Sequence, residues 1–459
     1  VVDTKQTGGF REVSGRFREI IYWLPPLLVL VACAVGVWYS LTAAGQTLQI
    51  SDASRLTGDA SQLIGAASQL TGAASQLAGA SVSSIMDSLI PPVTPAMFMY
   101  SRIRYAVHFI WIALDVAFLW SFLQLGWSAD LRSFAISKTR FPFLQLAIFL
   151  FVFALTMTIV LSPFSYVTGF WLKHHYGLSD QTLADWLIDL AKAFAVSFSI
   201  ELPIWWLIYK ALTKFTKRWP YLVFLGSVPV IFALTFMAPL IIDPVFNKIE
   251  PMPESSLRSN IQRLAAASGI RDAPIFTCDR HKQTNEINAY VTGLGSSARI
   301  VLWDTTLQKL PQDEVLCVVA HELGHYVLKH VYWGCAIGVL VSLLLVPVNV
   351  WITPLIFQNA PARWKITSLK DIAGVPLLIL SFTIVGFVSE PLMNGYSRGV
   401  EHEADMYGLK LSGNKLAFAR TFASLSKDNL AEPNPPKLIE LWLYSHPSLG
   451  QRIKSALTE

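Results

Sequence analysis

Seven stretches of the chain stay apolar for long enough to cross a hydrocarbon layer as helices: about 21–42, 103–126, 142–166, 190–212, 221–242, 331–352 and 372–394. Between the fifth and the sixth the pattern changes, and residues 245–330 carry the short, alternating signals of a small α/β domain. SSLRSNIQRLAAASG (255–269) has helical spacing with Gly269 as its stop. APIFTCD (273–279), NEINAYVTGL (285–294) and RIVLWDTTL (299–307) have strand character, the last two joined across Gly295, Ser296 and Ser297. The predicted architecture is a multi-pass α-helical membrane protein of about seven transmembrane helices bearing a small α/β domain. Its segments are a tail at 1–20, a first span at 21–42, a loop at 43–102 and spans two to five within 103–242. The α/β domain follows in two parts, 243–330 and 395–459, separated by spans six and seven at 331–394.

Composition agrees with a membrane protein, since 53% of the 459 residues are hydrophobic and the mean hydropathy is +0.45. The first run follows about twenty polar residues and lacks a small-residue cleavage site, so it is expected to span rather than to be removed. Cys33, Cys278, Cys317 and Cys335 show no paired spacing. A net charge of +5 spread along the chain contains no basic tract that would suit nucleic acid. With seven crossings, the basic loops around Arg16, Arg132, Lys217 and Arg363 fall on one side, the cytoplasmic one by the positive-inside rule. The α/β domain then lies opposite, in a bacterial inner membrane or a eukaryotic internal one.

Two features interrupt the spans and their loops. Residues 54–81 repeat every seven residues, with Leu56, Leu63, Leu70 and Leu77 in register, which fits either a helix packed on a neighbour or a linker. Asp115, Glu201 and Glu390 fall inside apolar runs, where facing lipid would cost several kcal/mol each, so they are expected to face the bundle interior or water.

The chemistry concentrates in PQDEVLCVVAHELGHYVLKH (311–330). Pro311 suits a helix start, Asp313 and Glu314 suit the positive end of the dipole, and Lys329 and His330 suit a last turn. On such a helix His321 and His325 leave one face and can meet one tetrahedral Zn²⁺, while Glu322 is placed to activate water. This is an H-E-x-x-H pattern. Leu328 and Val331 stand where the metzincin extension needs glycine and a third histidine, so the third ligand must come from elsewhere. NGYSRGVEHEADMYG (394–408) supplies it: on a helix Glu401 and Asp405 share a face with Arg398, while Glu403 points away. That spacing nominates Glu401 as the third ligand, Asp405 as the acceptor orienting a ligating imidazole and Arg398 as its charge partner, with His330 and His402 as bystanders. The strand at Asn288 to Leu294, with Asn288, Ala289 and Tyr290 at its start, is expected at a sheet edge where a peptide could add by main-chain hydrogen bonds.

HELGH followed by SRGVEHEAD resembles the gluzincin-type membrane metalloproteases that include the CAAX prenyl proteases (type I) and the HtpX-like proteases. HHYGLSDQTLADWLIDLAKAF (174–194), DPVFNKIEP (243–251), NAYVTGL (288–294) and YSHPSLGQRI (444–453) are similar to segments of the former, so the likeness runs from about 100 to the end. It implies helices around a large hydrophilic chamber, one zinc ion per chain inside it, Asn288 and Ala289 against the substrate backbone, and His446 and Arg452 near the metal, with His446 expected as a catalytic group and Tyr290 and Arg452 expected as substrate contacts. The departures are the 54–81 insertion and Asp243-Pro244-Val245 ahead of Phe246. The expected function is zinc-dependent endoproteolysis that removes residues from the C-terminus of a peptide or protein, possible lipidation of that substrate being part of the family expectation. The alternatives are an HtpX-like quality-control protease cutting misfolded proteins and a non-catalytic transporter or scaffold with a structural metal.

Overall fold

The computed structural model describes residues 30–37, 82–215, 217–293, 298–358 and 360–459. The 54–81 repeat, the 295–297 turn, the tail at 1–20 and most of the 21–42 run lie outside the described residues; of that run, 30–37 is helical.

After the helical 30–37 come helices α1 (Val82–Leu89), α2 (Pro95–Gln124), α3 (Trp127–Lys138), α4 (Pro142–Ser165), α5 (Leu183–Lys214) and α6 (Trp219–Met237). Local chemistry sets several starts. Thr94 caps α2 through a bond from the Met97 amide with Pro95 in the first turn, and Thr182 caps α5 through the Asp185 amide. Both α4 and α6 continue beyond their α-helical parts, so the apolar helices run Pro142–His175 and Trp219–Phe246.

The α/β domain contains β1 (Ile249–Pro251), α7 (Ser256–Ala267), β2 (Ile275–Cys278), β3 (Ala289–Thr292), β4 (Arg299–Trp303), α8 (Asp304–Lys309) and α9 (Gln312–Val327). Then come α10 (His330–Gln358), α11 (Val375–Ser412), α12 (Lys415–Asp428), α13 (Lys437–Leu443) and α14 (Leu449–Thr458).

Five of the expected spans coincide with helices long and apolar enough to cross a membrane: Pro95–Gln124, Pro142–His175, Trp219–Phe246, His330–Gln358 and Ile372–Ser412. The run at 190–212 lies in α5, which is 32 residues long but interrupted by Asp189, Lys192 and Glu201. The protein is an integral, multi-pass membrane protein. Glu390 meets His108 at 3.0 Å, and Asp115 and Glu201 line one cavity of about 490 Å³ among α2, α4 and α5. Charged groups inside the bundle thus find a partner or line a cavity, as their desolvation cost requires.

The sheet has the order β1-β2-β4-β3, with β2 and β4 parallel and the outer pairs antiparallel. β3 is therefore an edge, as the sequence predicted. The strands are shorter than expected, and 304–307 turns helical because Asp304 accepts a bond from the Thr305 amide at the start of α8. Val315, Val319 and Leu323 form the buried stripe of α9 and pack with Ile261 of α7 and with Ile275, Ile300 and Leu302 of the sheet. Burying that stripe turns the opposite side of α9, with both HExxH histidines, away from the sheet.

One expectation fails at the end of α9. The helix does not run through His330, because Lys329 adopts φ 60° and breaks it, and His330 begins the next helix. A lysine in the left-handed region costs energy that the surrounding packing must offset. The break folds His330 back toward His325.

Candidate active site

The metal-ligand candidates come from two helices, α9 and α11, that touch almost backbone to backbone. A Cβ on Gly324 would stand 3.0 Å from the Ala404 oxygen, and one on Gly408 would stand 2.8 Å from the His321 nitrogen. Small residues at both crossing points allow this approach. It brings Glu401 to the two imidazoles.

His321 Nε2 and His325 Nε2 are 3.1 Å apart. Glu401 Oε2 lies 3.3 Å from His321 Nε2, and its Oε1 lies 3.6 Å from His325 Nε2. Ligands held 2.0–2.1 Å from a tetrahedral Zn²⁺ stand about 3.3 Å from one another. The three groups therefore fit a zinc-sized cation. Glu401 Oε2 is moreover buried without a hydrogen-bond partner, a costly state unless a cation satisfies it.

The far ring nitrogens are held as well. His321 Nδ1 is 2.8 Å from Asp405 Oδ1, so the imidazole keeps its proton there and turns a lone pair toward Glu401. Arg452 clamps Asp405 by Nη2 to Oδ1 at 2.6 Å and Nε to Oδ2 at 2.8 Å, and its guanidinium lies 4.1 Å from the Phe422 ring centre. The partner expected for Asp405 was Arg398. That side chain instead donates to the main-chain oxygens of Glu440 at 3.0 Å and Tyr444 at 2.7 Å, fastening the loop that carries His446. The correction has a simple cause: α14, forty-odd residues downstream, packs on α11 and brings a better-aimed guanidinium to Asp405.

His330 and Glu403, expected to take no part, are the groups that sequence reasoning missed. His330 is buried, its Nδ1 is 3.0 Å from His325 Nδ1, and its Nε2 is 3.2 Å from Glu403 Oε2. Glu403 fixes the His330 proton on Nε2, so His330 Nδ1 accepts from His325 Nδ1 and leaves His325 Nε2 unprotonated. The signal was the second histidine five residues after His325, hidden by the assumption of a continuous helix.

His446 Nε2 is 3.2 Å from Glu401 Oε2, and its Nδ1 is 2.9 Å from Ser445 Oγ. Glu322 opens on a cavity of about 510 Å³ together with His321, His446, Arg452 and Asn288. Burial pushes its carboxyl above the ordinary value, and the His321 and His325 imidazoles partly offset that. On the other side of α9, His325 and Tyr290 line a second, apolar cavity of about 680 Å³. Between the two runs the edge strand. Asn288 is pinned to α8, its oxygen accepting from Thr306 Oγ1 at 2.6 Å, and its own Oδ1 accepts from the Ala289 amide at 2.8 Å. Tyr290 donates its hydroxyl to Asp243 Oδ2 at 2.7 Å, so the aspartate noted as a departure ties β3 to the end of the sixth long helix.

Residues 251–459 match peptidase family M48, and residues 96–248 match the CAAX prenyl protease N-terminal domain of five membrane helices. A Bacillus subtilis relative described as the uncharacterized metalloprotease YhfN is 35% identical over 389 residues, 81% of this chain and 91% of the relative. The chain belongs to peptidase family M48. Among M48 relatives, CAAX prenyl protease 1 of Saccharomyces cerevisiae is 31% identical over 323 residues, 64% of this chain and 68% of that protein. The crystal structure of Saccharomyces mikatae Ste24p is similar at a TM-score of 0.70 with 27% identity, covering 81% of this chain and 93% of that one. The protein is thus a membrane metalloendopeptidase of the CAAX protease type, acting on peptide or protein substrates.

Proposed function

We propose that the metal is Zn²⁺, held by His321, His325 and Glu401, and that the M48 chemistry of this chain removes the last residues of a lipidated, CAAX-like C-terminus. The observation that carries the reading is Glu401 Oε2, buried without a hydrogen-bond partner and 3.3 Å from His321 Nε2, while Glu401 Oε1 lies 3.6 Å from His325 Nε2, a donor set of two imidazoles and one carboxylate suited to catalytic zinc. When bound, Zn²⁺ polarises the scissile carbonyl and makes water a stronger acid.

The remaining steps belong to the chain. The free edge of β3, from Ala289, supplies main-chain bonds that lay the substrate out as an added strand, with Asn288 at its beginning and Tyr290 anchoring it through Asp243. Glu322 takes a proton from the attacking water and later gives it to the departing amine, so the peptide bond breaks with no net gain or loss of protons. His446 donates toward the oxygen on which negative charge develops. Asp405, locked by Arg452, and His330, locked by Glu403, hold the two ligating rings in the tautomers that metal binding needs.

The direct test is incubation of detergent-purified protein with a farnesylated C-a-a-X peptide, with and without chelator, followed by mass spectrometry. Release of the C-terminal tripeptide that stops on chelation is the expected result. Chelator-sensitive cutting of unstructured chains, with the lipidated peptide left intact, would replace this reading by the quality-control one.

A further inference from the structure

Two arginines two residues apart on α2, and so on nearly opposite faces of the helix, have different fates. Arg102 is buried and meets Glu432 Oε1 at 3.2 Å. Arg104 is exposed, lines the 510 Å³ cavity beside Glu322, and has no carboxylate within salt-bridge distance among the described residues; its guanidinium carbon lies 5.8 Å from the Tyr100 ring centre. The other basic side chains of that cavity have carboxylate partners, Arg452 with Asp405, His108 with Glu390, and His321 and His446 with Glu401. Much of the remaining lining is apolar, including Val318, Phe418, Leu425, Leu443 and Leu449. Among the described residues the cavity thus offers apolar walls and one guanidinium without a carboxylate partner, within the size range of small-ligand sites.

The direction of the bound chain follows from two independent features. β3 starts at the first cavity with Asn288 and ends at the second with Tyr290 to Gly293, so a strand added antiparallel to it has its C-terminal end over the first. Glu322, which must protonate the departing amine, lines the first cavity and not the second. The fragment carrying that amine therefore leaves on the Arg104 side.

Resting on the zinc-protease reading, we propose that Arg104 is a specificity-determining residue that receives the free C-terminal carboxylate of the departing fragment, so that the enzyme selects bonds a few residues from a chain end. A guanidinium fork matches a carboxylate through two parallel hydrogen bonds, which an ammonium cannot reproduce. The apolar walls take the aliphatic side chains in between. A substrate ending in an uncharged amide loses the pairing while keeping every other contact.

The experiment uses the zinc-loaded full-length protein and two peptides of one sequence, S-farnesylcysteine followed by two aliphatic residues and serine, one a free acid and the other a C-terminal amide. Wild type is expected to cleave the acid at least tenfold better in kcat/KM; Arg104→Gln should bring the ratio to within twofold while leaving amide cleavage as it was, and Arg104→Lys should fall between. Binding of both peptides to the Glu322→Gln protein, read by calorimetry, should show the same preference and lose it when Arg104→Gln is added. Equal cleavage of acid and amide by wild type overturns the assignment, as does an undiminished preference in Arg104→Gln or an equal loss of both activities there. No cleavage of either peptide by wild type would instead overturn the lipidated C-terminal substrate reading, and this assignment with it.

Discussion

Gly408 of α11 lies against the backbone of His321 in α9, so close that a Cβ there would stand 2.8 Å from the His321 nitrogen and 2.9 Å from its Cα. No flexible side chain can yield at that point, because both contacts are main chain. Gly408→Ala is expected to push the helices apart at a cost of about 1–3 kcal/mol. Glu401, two turns earlier on the same helix, would be carried away from the histidines. The check is zinc content together with the thermal midpoint, both of which should fall; unchanged zinc in a fully folded variant would contradict the close-contact account.

Glu322→Gln keeps the shape of the site and removes the base. It should retain one zinc per chain and lose roughly 10²- to 10⁴-fold in turnover. Elemental analysis and peptide cleavage measured on one preparation decide it, and peptidase activity near wild type would contradict the base assignment.

His330 and Glu403 form a chain of hydrogen bonds behind His325, with spacings of 3.0 and 3.2 Å. His330→Ala should weaken zinc affinity by about 10- to 100-fold, as loss of a ligand's supporting partner does. Glu403→Gln should have a smaller effect because Glu403 is largely exposed. Competition with a chromogenic chelator measures both; equal affinity in all three proteins would leave His330 as packing alone.

Tyr290 and Asp243 test the edge strand. Tyr290→Phe removes the 2.7 Å bond that ties β3 to the preceding helix, an interaction with a carboxylate worth about 1.5–3 kcal/mol. Zinc content should stay constant while kcat/KM falls roughly tenfold, mostly through KM. A fall in zinc content instead would mean that the bond supports the metal site rather than the strand.

Much of this site could be seen in the chain before folding. His321, His325, Glu401 and Asp405 lie on helices whose period alone decides which side chains share a face, and β3 was recognisable as a strand from its residue pattern, its edge position being expected from the needs of peptide binding beside a metal. Arg398 was misassigned for the reason that its spacing looked right: periodicity ranks neighbours on one helix and is blind to a guanidinium arriving from another. Lys329 was misjudged similarly. A left-handed residue there has no local glycine or asparagine signal, and only the packing of α9 and α10 imposes it.

Local interactions between residues a few positions apart therefore determined, from the sequence alone, the apolar helices, the HExxH face and the acidic helix that completes it. What the tertiary structure decided was every relationship between distant segments: Arg452 on Asp405, His330 behind His325, Gly408 against His321, and Arg104 in the cavity it shares with Glu322, with no carboxylate at salt-bridge distance among the described residues. The division is physical. Backbone hydrogen bonding and side-chain period act over one or two turns, whereas the pairing of a buried charge depends on which helices pack together, and that is settled only when the whole apolar surface is buried at once.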